Sequence, residues 1–355
     1  MRRSNRLVGG RHLGRTDWRS HWRGCRRRNR RSHWRRVLLD FRLRLRLAQA
    51  GSAVPLEAGR HPPGAMDPLE LVQLSRLMAR TRGSALMRIG LIDGPVATSH
   101  PDFAGAQTIQ LGGKSSEPCT LLDSAACRHG TCIAGILVAR RGSMAPAICP
   151  GCTLIVRPIF SEGEPVSGMP TATPAALAAA INDCVDAGAR VINVSAAMTW
   201  PSPHDELKMR DALDRAAQKG VIVVAAAGNQ GTLGSSVVTR HPCVIPVIAC
   251  DLEKRPLSYS NLGRSIGRSG LAAPGEGVTS VGSNGEPARL AGTSIATPFV
   301  TGTIGLLWSE FPGATAAGVK DAVLRGGVAR TSVVPPVLDA WAAYEAMQQI
   351  LGGRS

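Results

Sequence analysis

Apolar positions along this chain follow two periods in turn, and their alternation predicts the architecture. Residues 69–78 repeat apolar side chains at helical spacing behind Asp67-Pro68, an entry signal because proline lacks an N–H that the first helical turn does not use. Residues 88–92 are a short apolar run of buried-strand type ending at Asp93-Gly94, and residues 153–159 are a second. Residues 131–138 continue from His129-Gly130 as a small-residue helix. Two further helices are punctuated at both ends, Thr173-Pro174 through Ala187-Gly188 and Ser202-Pro203 through Lys219-Gly220. Strand-like runs at 190–194 and 221–227 follow them, with more at 243–249 and 277–281. A last long helix is expected over 295–307 with Pro298 in its first turn. Residues 95–127, rich in Gly, Pro, Ser and Asp, read as loops.

Helices that alternate with fully apolar strands imply right-handed βαβ units. The expected fold is therefore α/β, a mostly parallel central sheet covered by helices on both faces. Composition alters this picture only at the N-terminus. The formal charge of +17 sits almost wholly in residues 1–65, where 18 arginines face 3 acids and lysine is absent. Residues 66–355 hold 24 basic and 22 acidic side chains and are nearly neutral. The chain thus divides into an Arg-rich leader, 1–65, and one globular domain, 66–350, without an internal linker. Four readings of the leader compete: a nucleic-acid or anionic-surface arm, an export or transit segment, a short propeptide, or a stretch outside the mature protein, with Met66 as an alternative start. Arg42, Arg44 and Arg46 interrupt its one apolar run, which argues against a secretory signal. The abrupt change in composition favours the last reading.

No run of 18 apolar residues occurs, so no membrane-spanning helix is expected. The nine cysteines are scattered and odd in number. Without a signal sequence the simplest expectation is reduced thiols in a cytoplasmic protein, with no disulfide pairing inferable. Cys149-Pro150-Gly151-Cys152 has C-x-x-C spacing but lacks a second such pair. A local disulfide or two free thiols in a turn is therefore preferred over a zinc site, and no metal ligands are assigned.

In parallel sheets ligands gather at the carboxyl ends of strands, and four chemically able side chains fall at such places. Asp93 follows one strand run and Asn229 another, in Ala227-Gly228-Asn229. His129 opens a helix, and Ser294 opens the last one in Gly292-Thr293-Ser294. Each alone has a plain reading as a turn former or helix cap. Their joint occurrence in separate Gly-rich motifs is the functional signal.

Ile89-Gly90-Leu91-Ile92-Asp93-Gly94 with His100-Pro101-Asp102-Phe103, then His129-Gly130-Thr131, then Gly292-Thr293-Ser294 with Ala296-Thr297-Pro298, resemble the three catalytic blocks of the subtilisin-like serine peptidases. The order Asp, His, Ser is that family's order. The resemblance covers about residues 86–328 and implies a subtilisin-like three-layer fold and a serine endopeptidase. It implies Ser294 as nucleophile, His129 as general base, Asp93 as the carboxylate that orients the imidazole, and Asn229 as oxyanion-hole donor. It further implies substrate pairing along Ser195, Ala196 and Ala197, and an S1 wall that includes Ala226 and Gly228.

Departures qualify the match. Cys132 stands where the family often has a second histidine, and reads as a packed thiol or as a mercurial-sensitive one. Ala197 replaces a common glycine. The stretch from Met66 to the first strand is too short for the family's chaperone propeptide, so folding without one is expected. The Met66-Asp67-Pro68-Leu69-Glu70 helix leading into Ile-Gly-Leu-Ile-Asp-Gly-Pro-Val is similar to the proteases that mature cyanobactin-type peptides, which implies a precursor peptide as substrate. Calcium, common in the family, lacks clear ligands here, and no cofactor is required. The residues leave open a catalytically silent peptide-binding pseudopeptidase, a basic-tailed nucleic-acid binder, and ligation in place of hydrolysis. Oligomeric state is not legible.

Overall fold

The computed structural model describes residues 66–112, 119–162, 173–195, 203–325 and 332–352. The Arg-rich leader lies outside them. Two short helices open the domain, α1 (Pro68–Leu71), capped by the Asp67 carboxylate, and α2 (Leu74–Arg80). The strand β1 (Arg88–Asp93) follows, then a 3-10 turn at Pro101–Phe103 and the strand β2 (Gln107–Gln110). Next come α3 (Ala125–Val138), β3 (Thr153–Pro158), α4 (Pro174–Asp186), β4 (Val191–Val194), α5 (Pro203–Gln218) and β5 (Ile222–Ala226). The chain continues through α6 (Val237–Arg240), β6 (Val244–Cys250), α7 (Arg264–Ser269), β7 (Leu271–Pro274), β8 (Thr279–Ser280) and β9 (Ala288–Arg289). It ends with α8 (Thr293–Glu310), α9 (Ala316–Arg325) and α10 (Ala340–Gly352).

Seven strands form one parallel sheet in the order β2-β3-β1-β4-β5-β6-β7. The order reverses at β1, which lies between β3 and β4. Such a switch point opens a crevice at the carboxyl ends of the strands. Period-2 alternation then sorts each strand between two cores. Ile89 and Leu91 pack on one side with α3, α8 and α10, whereas Ile92, Ile192 and Val223 pack on the other with Leu177 and Ile181 of α4 and Leu213 of α5. Helices thus cover both faces, and the expected three-layer α/β fold is the one observed. The helix α8 runs beneath the sheet against β4 to β7 and is buried almost all round, from Thr293 to Trp308.

Several local expectations need correction. The run at 277–281 is not a strand of the main sheet. Only Thr279 and Ser280 pair, antiparallel with Ala288 and Arg289 in a separate ribbon. The stretch read as loops contains β2 and the first turn of α3. That helix starts at Ala125 behind Ser124, whose Oγ accepts from the Cys127 N–H at 3.1 Å, so His129 lies in its second turn rather than opening it. Pro298 likewise lies in the second turn of α8, where its missing N–H deletes the bond to the Ser294 carbonyl. Among the described residues no helix is long and apolar enough to cross a membrane.

Candidate active site

The site is built where β1, β4 and β5 end. Asp93 is the last residue of β1 and is fully buried. The turn after it is in backbone contact with α3: a Cβ on Gly94 would stand 2.0 Å from the Ala126 carbonyl oxygen, and one on Gly130 would stand 2.4 Å from the Gly94 oxygen. Only glycine at both places lets the helix approach so closely, and that approach brings His129 against Asp93. The His129 Nδ1 to Asp93 Oδ1 distance is 2.7 Å. A carboxylate is acceptor-only, so Nδ1 carries the proton and the neutral ring offers Nε2 as an acceptor. Nε2 lies 3.0 Å from the Ser294 Oγ, which can donate to it. Burial works against a charged His129, yet the charge of Asp93 and its hydrogen bond outweigh it and raise the pKa above the ordinary 6.5. Asp93 Oδ1 also accepts from the Gly94 N–H at 2.6 Å, while its Oδ2 is buried without a protein partner.

Ser294 is the second residue of α8. The N-cap is Gly292, at φ 144°, which has no side chain to cap the helix, and the Ser294 hydroxyl is not spent on capping either. Its N–H belongs to the first turn, whose N–H groups lack intrahelical partners and carry the positive end of the helix dipole. Asn229 stands three residues past β5. Its Oδ1 accepts from the Thr293 N–H and the Thr293 hydroxyl, both at 2.9 Å. This fixes which way the amide faces and leaves the Nδ2 donor free for a ligand.

Of the other expected site residues, Ala226 and Gly228 are buried beside Asn229. The Ser195 Oγ is engaged inward, accepting from the Asn193 Nδ2 at 2.7 Å. Any pairing with an extended peptide therefore falls to its backbone. Ala196 and Ala197 lie outside the described residues. Thr293, in direct contact with Asn229, belongs to the Gly292-Thr293-Ser294 motif, but the sequence assigns it no role. Cys132 is buried and its thiol is pushed up to about 12 by desolvation, the behaviour of a packed small hydrophobe.

The expectation that all thiols are reduced is overturned. Cys119 and Cys127 form a disulfide with Cα atoms 5.6 Å apart, an ordinary span for such a bridge. This also removes one support for a cytoplasmic location. Cys149 and Cys152 are free and buried. Their mutual hydrogen bond, then burial, hold the Cys149 thiol well above its usual value and favour Cys152 as the more acidic of the two. Among the described residues one group has metal-ligand proximity, Cys119, Cys127 and Glu162. It does not fit calcium, which takes oxygen ligands. Its two sulfurs are bonded to each other, and Glu162 accepts from the Thr120 N–H at 2.8 Å and its hydroxyl at 2.6 Å.

A model of the subtilase family (peptidase S8) matches residues 86–333, well over half of the chain. The chain belongs to the subtilase family. This subtilase is 29% identical to subtilisin DY of Bacillus licheniformis over 71% of the chain and 88% of that protein. It is 30% identical to subtilisin E of Bacillus subtilis over 66% of the chain and 58% of that protein. Among solved structures it is similar to the patellamide maturation protease PatA, 30% identical, TM-score 0.62, covering 75% of this chain and 98% of that one. It is also similar to the prenylagaramide maturation protease PagA, 28% identical, TM-score 0.66, covering 77% and 98%. The macrocyclase domain of PatG, 22% identical, shares the fold. This subtilase is a serine-type endopeptidase.

Proposed function

We propose that Ser294, His129 and Asp93 form the catalytic triad of this peptidase. Ser294 Oγ attacks the scissile carbonyl carbon while its proton passes to His129 Nε2. Asp93 holds the tautomer and stabilises the imidazolium. The oxyanion is met by the Ser294 N–H and Asn229 Nδ2, and collapse expels the amine, which takes the proton from His129 and leaves an acyl-enzyme that water then hydrolyses. The observation that carries this reading is the unbroken contact chain of 2.7 Å and 3.0 Å through one buried imidazole. The test is intact-mass analysis after treatment with a fluorophosphonate. One adduct on Ser294, lost in Ser294→Ala and His129→Ala, is expected. A folded wild type that takes no adduct would remove the assignment.

The finer reading is that the substrate is a precursor peptide rather than bulk protein. What supports it is the likeness to two proteases named for maturation of patellamide and prenylagaramide, each covered over 98% of its length. Digestion of a proteome-derived peptide library is expected to give a narrow cleavage consensus. Broad cleavage, with casein degraded to small fragments, would leave a peptidase of general specificity.

A further inference from the structure

One side chain grips the oxyanion turn without being part of it. Asn261, half-buried and 32 residues along the chain from Asn229, spends its whole amide on residues 227–232. Its Oδ1 accepts from the Gln230 N–H at 3.1 Å, the Thr232 N–H at 3.0 Å and the Thr232 hydroxyl at 3.0 Å. Its Nδ2 donates to the Ala227 carbonyl at 3.1 Å and to Gln230 Oε1 at 2.7 Å. The Asn261 backbone N–H adds a bond to the Gly228 carbonyl at 2.9 Å. The turn is thus held from the residue two before Asn229 to the residue three after it, and no atom of the Asn229 side chain is touched.

The backbone at Gly228 is shaped around this grip. Gly228 has φ +105°, a conformation L side chains rarely adopt, and a Cβ there would stand 2.3 Å from Asn261 Nδ2. On the opposite side, the Gly228 N–H donates to Thr293 Oγ1 at 3.2 Å, and Thr293 in turn holds Asn229 Oδ1. The donor is therefore fixed twice, its side chain by Thr293 at the start of α8 and the backbone on either side of it by Asn261. Oxyanion stabilisation depends on a donor already aimed where charge develops, and a misplacement of about 1 Å can cost on the order of 10²-fold in rate.

We propose that Asn261 is a positioning residue for the reaction: it clamps the 227–232 turn so that Asn229 Nδ2 points into the oxyanion hole. This rests on the reading of Asn229 as the oxyanion donor. A residue that acts through another loses its effect when that other is gone, and a double-mutant cycle reads this directly.

The experiment uses the full chain and the second-order rate constant for phosphonylation of Ser294 by a fluorophosphonate. In that step the Ser294 O–P bond forms, the P–F bond breaks, fluoride leaves and the hydroxyl proton goes to His129. The phosphoryl oxygen takes the place of the oxyanion, and no natural substrate need be known. Four proteins are compared: wild type, Asn229→Ala, Asn261→Ala and the double variant, each checked for folding by circular dichroism. Asn261→Asp, which keeps the acceptor and loses both donors, replaces Asn261→Ala throughout if the latter does not fold. Asn229→Ala is expected to slow the reaction ~10²–10³-fold, and Asn261→Ala roughly 10- to 100-fold. In the Asn229→Ala background the Asn261 change is expected to cost less than about twofold. An equal loss in both backgrounds, or no loss in either, overturns the clamp and leaves Asn229 as donor intact. Unchanged reactivity of Asn229→Ala overturns the oxyanion reading, and the clamp with it.

Discussion

Replacing Asp93 by asparagine removes a charge while keeping the side chain's size, and the contacts of its two oxygens determine the outcome. Asp93 Oδ1 accepts from two N–H groups, Gly94 at 2.6 Å and His129 Nδ1 at 2.7 Å, and its Oδ2 is buried with no protein partner. An asparagine that keeps its oxygen at the Oδ1 position still serves both donors. It then buries an unmet NH2 at the Oδ2 position, a cost of roughly 1–3 kcal/mol. The flipped amide points N–H at the Gly94 N–H and forces His129 Nδ1 to accept. The proton then sits on Nε2, the wrong tautomer for taking the proton of Ser294. Either way the imidazolium loses its counter-charge. A loss of ~10⁴ in turnover at neutral pH is expected, about 5.4 kcal/mol of transition-state stabilisation.

The pH profile gives an independent sign. Desolvation alone lowers the His129 pKa, and the carboxylate's charge and hydrogen bond more than reverse it. His129 must be neutral to act as base, so wild-type kcat/KM is expected to rise through an apparent pKa above 6.5. In Asp93→Asn only the lowering influence of burial remains, and the residual activity is expected to rise through a pKa below 6.5. The assay is kcat/KM for a quenched fluorescent peptide between about pH 5 and pH 9, with circular dichroism to show that the variant is folded. A limb that stays in place or moves upward, or a rate loss under about tenfold, would refute the electrostatic argument.

Three more outcomes are expected from the same contacts. Asn229→Ala is expected to lower kcat by ~10²–10³ with KM nearly unchanged, and a change confined to KM would count against a transition-state role. Joint replacement of Cys119 and Cys127 by serine opens a link that spans eight residues and ties the segment before α3 to its first turn and is expected to cost about 2–3 kcal/mol; thermal unfolding at the wild-type temperature would show that the bridge does not constrain the fold. Cys132 and Cys184, both buried and both pushed up to about 12 by desolvation, are expected to resist iodoacetamide in the native enzyme and to react once it is unfolded, as read by peptide mass mapping.

Legibility in the sequence tracks the range of each interaction. The helices α4 and α5 are readable because cap, proline and terminal signals lie within their own residues. The strand β7, Leu271–Pro274, is not readable, since a four-residue stretch with two alanines and a closing proline carries little strand preference. The run at 277–281 has the right composition for a buried strand but turns back to pair with β9, a choice set by what it meets and not by its own pattern. The start of α3 is obscured because its Ser124 cap sits in a polar stretch that reads as loop, and the groups that hold that stretch, the Glu162 carboxylate and the bridge from Cys119 to Cys127 in the helix's first turn, come from distant positions.

The active site obeys the same rule. Asp93 is followed by Gly94 and His129 by Gly130, and those glycines are where the β1 turn and α3 touch through backbone. Each residue proposed for the chemistry therefore sits beside the residue that permits the approach, and the pair reads as a motif. Ser294 follows Thr293 for a related reason, because Thr293 anchors the Asn229 amide, which we propose shares the oxyanion with the serine's own N–H. Asn261 has no such neighbour. Its partners are 29 to 34 residues away, and its own segment, Ser260-Asn261-Leu262-Gly263, looks like any polar turn. Asp93 and His129 are each spelled next to the glycine that lets them meet, whereas a clamp such as Asn261 is free to come from anywhere the fold brings close. The motifs therefore report the proposed catalytic groups, and the contact of Asn261 with the turn that carries Asn229 has to be read from the structure.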